Sequence, residues 1–390
     1  MVTYPEDWTS MQLKDLGYIQ MCRRIFQSQT KAYGAIPFYK ISTFGGKADA
    51  YISQELYEQY KALYPYPEKG DVLISAAGTV GKTVIFDGRD SYFQDSNIVW
   101  LKVDKNAIDR KFLWWFYRSY PWEALEGTTI QRLYNSIILK TEIHLPDKPE
   151  QEEIARTLSQ FDTYIDDLAE LIEKKRGIRE GALEDLMCQR TRLNDYSREW
   201  EEDQLSEICK VYDGTHQTPK YTLQGIRFVS VENILDLYSS NKYISQTAYE
   251  SDFKAYPEKG DILMTRIGDI GTPCVVDRDE PLAYYVSLAL LKNITINSYF
   301  LNYYIMSSGF QRELDDRSLH HATPKKINKG EIGKCKVKYP KDADEQAAIA
   351  NILRSMDEEI EALEIEWDKM IQIREGAMDD LLTGRVRLSV

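Results

Sequence analysis

The segment Ala76 to Thr83, AAGTVGKT, has the spacing of a phosphate-binding loop, in which backbone amides and a lysine would cradle phosphates. Such a loop must open a helix, yet Val84, Ile85 and Phe86 follow, which suit a strand. The stretch Arg266 to Pro273, RIGDIGTP, keeps both glycines of this pattern without the lysine. The glycines are therefore expected to form a turn, leaving Lys82 as an exposed cation. Other catalytic signatures are missing. His144, His216, His320 and His321 are the four histidines, and neither H-E-x-x-H nor a G-x-S-x-G elbow occurs. No two prolines are adjacent, which removes the N/D-P-P-Y/F signature of adenine-amino methyltransferases. Cys22, Cys188, Cys209, Cys274 and Cys335 contain no C-x-x-C pair and read as reduced thiols of a cytosolic protein. Neither a catalytic centre nor a metal site is expected.

Gln131, Arg132 and Tyr134 lie in GTTIQRLY, and His320, His321, Lys325 and Lys326 lie in SLHHATPKK. With Lys82, Arg266, Thr215 and His216, they combine cations that pair with phosphates and groups that hydrogen-bond base edges, beside turn-forming Gly or Pro. The formal net charge of −13 argues against a polyanionic partner. Its distribution weakens the objection: acid and base balance over residues 1–147, and most of the excess acid falls in 148–193 and 341–390.

These residues sit on a chain that repeats itself. IREGALEDLMCQRTRL begins at Ile178 and IREGAMDDLLTGRVRL at Ile373, 195 positions later. PEKGDVLISAAGTVGKTVIFD from Pro67 and PEKGDILMTRIGDIGTPCVVD from Pro257 repeat 190 positions apart. Ile36, Phe38 and Ile41 match Ile226, Phe228 and Val231 at the same offset, and Trp8, Leu13 and Leu16 match Trp200, Leu205 and Ile208. The chain is a pseudo-dimer of two globular halves, each of ordinary domain size. Both halves read as mixed α/β, with a hairpin of Val72 to Ser75 and Thr83 to Phe86 in one and of Ile262 to Thr265 and Pro273 to Val276 in the other. The longest apolar run, Leu282 to Leu291, is too short to span a bilayer, and no targeting segment is evident.

Each half is followed by a long helix. Ile154, Leu158, Phe161, Ile165, Leu168 and Ile172 recur at steps of four and three, as do Ile349, Leu353, Met356, Ile360, Leu363, Trp367 and Met370. Acids in the first turns and Gly384 at the end of the second fit helix boundaries. Roughly 38 residues make each helix on the order of 57 Å long. The two stripes are expected to face each other antiparallel, drifting toward Ile178 and Ile373 or ending there. Gly181 and Gly376 would mark a close approach of the two backbones or of a partner. Domain boundaries follow at 1–147, 148–193, 194–341 and 342–390.

In order, Trp8, IPFYKI, KGDVL, the turn at 78–81, PEQEEI and the helix ending IREGALEDLM resemble one half of the specificity subunit of Type I restriction-modification enzymes. The second half repeats the order with DGTHQTP, GIRFVSVENI, KGDIL, DEQAAI and LLTGRVRL, so the resemblance spans essentially the whole chain. It implies two pseudo-symmetric target recognition domains separated by a long antiparallel two-helix coiled coil. Each domain would read half of a bipartite double-stranded DNA site, and the coil would space them and dock two modification (methyltransferase) subunits, with restriction subunits joining the full complex. S-adenosylmethionine, ATP and Mg²⁺ would belong to those partners, leaving this cytoplasmic chain without a cofactor. The first half has RRIFQSQ at 23–29 in place of DGTHQTP. Because the loops of the halves differ, the half-sites are expected to differ. A coiled-coil scaffold and a stand-alone methyltransferase are the alternatives.

Overall fold

Strands Val72–Ser75 and Ile98–Val103 are apolar almost throughout because both faces of their sheet are covered. Successive strand residues point to opposite faces. Val72, Ile74, Val99 and Leu101 therefore enter one core, and Leu73, Ile98 and Trp100 another. The computed structural model describes residues 3–122 and 132–389 and has two compact units, Met1–Ala169 with Ile365–Val390 (unit 1) and Glu170–Glu364 (unit 2).

In unit 1 the antiparallel sheet runs in the order Gly17–Gln20, Ile98–Val103, Val72–Ser75, Thr83–Ile85. One face is covered by Phe112 and Trp115 of helix Arg110–Ser119 and by Ile154 and Leu158. The other is covered by a three-stranded sheet of Ala50–Ile52, Ile36–Tyr39 and Tyr92–Phe93. Unit 2 repeats the arrangement with Lys210–Asp213, Leu288–Lys292, Ile262–Ile267 and Asp269–Val275. Both units are mixed α/β, as the sequence predicts.

The hairpin reading of AAGTVGKT holds: Val72 pairs with Ile85 and Ile74 with Thr83, so a strand follows where a nucleotide-binding loop would need a helix. Gly81 lies in the turn with φ +83°, whereas its counterpart Gly271, at φ +95°, lies within strand Asp269–Val275 beside a register shift, and the turn of that hairpin falls at Gly268 instead. The positive φ at each position favours glycine. The repeated P-E-K-G-D segment is structural too. Buried Asp71 accepts the Glu68 N–H at 2.8 Å and pairs with Arg110 at 2.7 Å. Asp261 accepts the Glu258 N–H at 2.9 Å and pairs with Lys292 at 3.0 Å. Lys102 and Lys105 hold the Glu68 carboxyl well below its usual range, at about 2.

Two helices of 40 residues, Lys148–Met187 and Ala343–Leu382, share a root design. Buried Gln151 accepts the Asp109 N–H at 2.8 Å and donates to the Pro146 carbonyl at 2.9 Å. Gln346 repeats both bonds, with Asn297 and Pro340, at 2.7 Å each. Beside them Glu150, 3% exposed, takes two bonds from Arg387 at 2.6 and 2.7 Å. Glu345, 1% exposed, takes two from Arg192 at 3.1 Å. In each unit a buried Glu-Gln pair thus ties one long helix to its domain and to the arginine beyond the other helix.

Within unit 1, Asp162 pairs with Arg374 at 2.9 Å and Tyr164 donates to Glu366 at 2.5 Å. Within unit 2, Lys175 pairs with Glu359 at 2.6 Å and Arg179 with Asp357 at 2.7 Å. Partner numbers fall on one helix as they rise on the other, so the contacts inside each unit are antiparallel. Ile154, Leu158, Ile165, Leu168, Ile172, Ile349 and Leu353 are buried; Phe161, Met356, Ile360, Leu363, Trp367 and Met370 are half-buried. The stripe ends before Ile178 and Ile373, which are 51% and 41% exposed. A Cβ at Gly181 or Gly376 would meet nothing within 4 Å, so no close approach of helix backbones explains those glycines.

Leu158 and Leu353 are fully buried where the helices meet the domains. Leu158→Ala or Leu353→Ala should each cost about 2–5 kcal/mol in urea unfolding, whereas Ile373→Ala should stay within about 0.5 kcal/mol. Equal costs at all three positions would detach the helices from the cores.

Candidate nucleic-acid interface

In unit 1, five separated segments converge on an open groove of about 660 Å³. Arg24, Lys31, Lys40 and Arg132 bring cations to it, against two carboxylates, Asp49 and Asp95. Asp95 pairs with Arg24 at 2.8 Å and Asp49 with Lys40 at 2.9 Å. Gln27, Gln94 and Asn97 add amides. The Gln94 side chain accepts the Ile41 N–H at 3.1 Å through its oxygen, which leaves its amino group as a donor. The turn beside it is tight, with Ser96 at φ +52°. Cations for phosphates and amides for base edges are the two parts of a sequence-reading surface. Exposed Phe26 and Tyr33, on the same segment as Arg24 and Lys31, supply flat apolar faces.

Arg132 reaches this groove through a backbone bridge to Ala77. Tyr134 is half-exposed at the start of helix Asn135–Lys140. Lys82 is exposed on the hairpin turn with its side chain beside Gly45, and does not line the groove. Gln131 lies outside the described residues.

In unit 2 a smaller cleft of about 370 Å³ is lined by Asp213 to Gln217, Lys254 and Lys329, which places Thr215 and His216 on its wall. His320 and His321 are exposed on the loop of residues 318–327. Lys325 is paired with Asp315, and Lys326 is exposed while its backbone bridges Leu319 and Ile267. Arg266 differs from the other candidates because it is 6% exposed, its Nε donates to the Ile327 carbonyl and its Nη1 is bonded to Asp213, so two of its three nitrogens are engaged within the domain.

Arg24, Lys31, Lys40, Gln94 and Asn97 were not singled out by sequence reasoning. They become neighbours only through the Ala50–Ile52, Ile36–Tyr39, Tyr92–Phe93 sheet, and the sole signal was the basic RRIFQSQ stretch. The correspondence of that stretch also needs correction. Leu73 lies opposite Trp100 as Leu263 lies opposite Leu290, and Gln20 and Tyr212 face those two residues. Met21, not Arg23, therefore occupies the place of Asp213, because the segments to the next shared strand differ by two residues. Among the described residues, no cluster of three or more His, Cys, Asp or Glu could hold a metal ion, and no helix is long and apolar enough to cross a membrane.

Comparison with known proteins agrees with this two-part architecture. The family model for the Type I restriction modification DNA specificity domain matches twice, at residues 5–175 and 197–366. A Haemophilus influenzae protein named as a type I restriction enzyme specificity subunit is 52% identical over 160 residues, covering 41% of this chain and 42% of that protein. The MjaVIII specificity subunit of Methanocaldococcus jannaschii is 24% identical over 98% of this chain and 94% of its own length. A crystal structure of the S subunit of a Type-I restriction-modification system from M. genitalium superposes with a TM-score of 0.61 at 20% identity, covering 98% of this chain and 97% of that one. With two domain matches over most of its length, this chain belongs to the Type I restriction modification DNA specificity family.

Proposed function

We propose that this chain is the non-catalytic targeting subunit of a Type I restriction-modification enzyme, reading a bipartite, asymmetric double-stranded DNA site with one domain per half-site. The observation that carries the reading is the pairing of one backbone frame with two unlike sets of loop residues. A groove with Arg24, Lys31, Lys40 and Arg132 in unit 1 and a cleft with Thr215 and His216 in unit 2 cannot present the same groups to DNA. A two-domain reader matches half-sites separated along a duplex.

The recognition domains are residues 1–147 and 194–341, with residues 148–193 and 342–390 as an antiparallel coiled-coil spacer. Forty residues per helix and antiparallel contacts within each unit support the spacer, whose length on the order of 60 Å caps the half-site separation near about 17 base pairs. Two modification subunits dock on it, and restriction subunits join through them. S-adenosylmethionine, ATP and Mg²⁺ are held by those partners in the cytoplasm. Neither a scaffold without nucleic-acid binding nor a stand-alone methyltransferase finds support in the family match.

Duplex binding by the chain assembled with its modification subunits tests the reading. Affinity should fall steeply with salt, and Arg132→Ala should weaken it and lower the log–log salt slope by about 0.9. Salt-independent binding would contradict the proposal. The chain alone, given S-adenosylmethionine and duplex, should transfer no methyl groups. Inserting seven residues at matched positions in both helices lengthens each by about 10 Å and should widen the half-site spacing by about three base pairs. Unchanged spacing would remove the helices' role as a ruler.

A further inference from the structure

Arg266 stands where two loops of unit 2 meet. Its side chain is 8% exposed, its Nη1 is bonded to the Asp213 carboxylate, and its Nε donates to the Ile327 carbonyl at 3.1 Å. Asp213 opens the loop that carries Thr215 and His216, and Ile327 closes the loop that carries His320, His321, Lys325 and Lys326. The backbone joins the same places: the Arg266 N–H donates to Ser287, and the Ile327 N–H donates back to Arg266, at 2.9 and 3.0 Å. A buried guanidinium holding one loop by its carboxylate and another by a carbonyl fixes their relative position, because its donors form a rigid planar fork.

The Asp213 loop is confined from its other side as well. Thr215 donates its N–H to Tyr284 and accepts from Val286, at 3.2 and 3.0 Å. A Cβ at Gly214 would lie 2.4 Å from the Tyr284 carbonyl oxygen, so a side chain there would force the loop off its strand. Lys329 lies 3.6 Å from the second Asp213 oxygen and adds charge without a fork.

Unit 1 supplies the control. Its Leu133 N–H donates to Ala76 at 2.9 Å, as Ile327 donates to Arg266, so the backbone frame is the same. The strand register puts Met21 in the place of Asp213 and Ala76 in the place of Arg266, both packed against the apolar core. A core that closes without an ion pair in one half shows that the frame itself does not require one.

We propose that Arg266 is a positioning residue for DNA specificity, clamping the Asp213–Gln217 loop to the 318–327 loop so that the second half-site is read by a preset surface, without itself touching DNA. This rests on the reading of the chain as a bipartite DNA reader. A residue that acts this way should alter discrimination between sequences but not the number of phosphates contacted.

The test uses the full chain with its modification subunits, a duplex carrying the methylated motif of the wild-type complex, and duplexes altered in either half-site. Arg266→Ala should lose about tenfold to a hundredfold in cognate affinity, tolerate changes in one half-site, keep full discrimination in the other, and leave the salt slope unchanged. Arg266→Lys keeps the charge and loses the fork, so it should fold normally and show the same one-sided loss. Gly214→Ala, which displaces the loop without altering charge, should do likewise. Unchanged discrimination in folded Arg266→Lys, loss in both half-sites, or a salt slope lower by about 0.9 would overturn the proposal. Failure of the wild-type complex to prefer its own motif would instead overturn the reading beneath it.

Discussion

Each long helix is rooted in its domain by a buried Glu-Gln pair. Glutamine fills one side by bonding the cap of a neighbouring helix and the carbonyl of a preceding proline, and glutamate fills the other by accepting a two-pronged arginine. A carboxylate at 1–3% exposure is tolerable only with such a partner, since an unpaired buried charge costs several kcal/mol. The arginine comes from beyond the far end of the other long helix, Arg387 for Glu150 and Arg192 for Glu345. One interaction therefore fixes three things in each unit: where a helix starts, how it meets its domain, and where the other helix must finish.

On that frame the loops are free to differ. The doubly covered sheet, the positive-φ glycines Gly81 and Gly271 and the buried Asp71 and Asp261 repeat position for position, although the cations closest to the two aspartates, Arg110 and Lys292, do not. The surfaces above them do not: unit 1 offers amides and four cations in a groove, and unit 2 offers histidines and lysines on loops joined by a buried ion pair. Function carried by variable loops on a rigid scaffold is how one fold can serve many targets.

Much of this was legible in the chain because the repeat served as an internal comparison. The glycines shared by AAGTVGKT and RIGDIGTP, without a shared lysine, marked a hairpin, and the steps of four and three marked the helices. The fold was hidden where the signal depends on three dimensions. Arg266, between Thr265 and Ile267 and near glycine, looked like an exposed cation, and only burial reveals its inward role. The unit 1 groove draws on residues spread from 24 to 132, which no local pattern links. The offset changes from 192 at Trp8 and Trp200 to 190 at Ile36 and Ile226, so a two-residue slip was legible, but only the strand register shows that it falls after Met21 and makes Met21 the partner of Asp213. Helical periodicity continued to Ile178 and Ile373 after the buried seam had ended, because spacing records which face a residue occupies and not whether anything covers it.

As proposed, one chain carries two readers of unlike half-sites at a set distance. The most direct measurement is methylome sequencing of a host that lacks other methyltransferases of this class and expresses this chain with its modification subunit. One motif of two different short sequences separated by a constant run of unspecified bases, below about 17 base pairs, is expected. A single uninterrupted motif, two identical inverted half-sites, or a gap of variable length would contradict it.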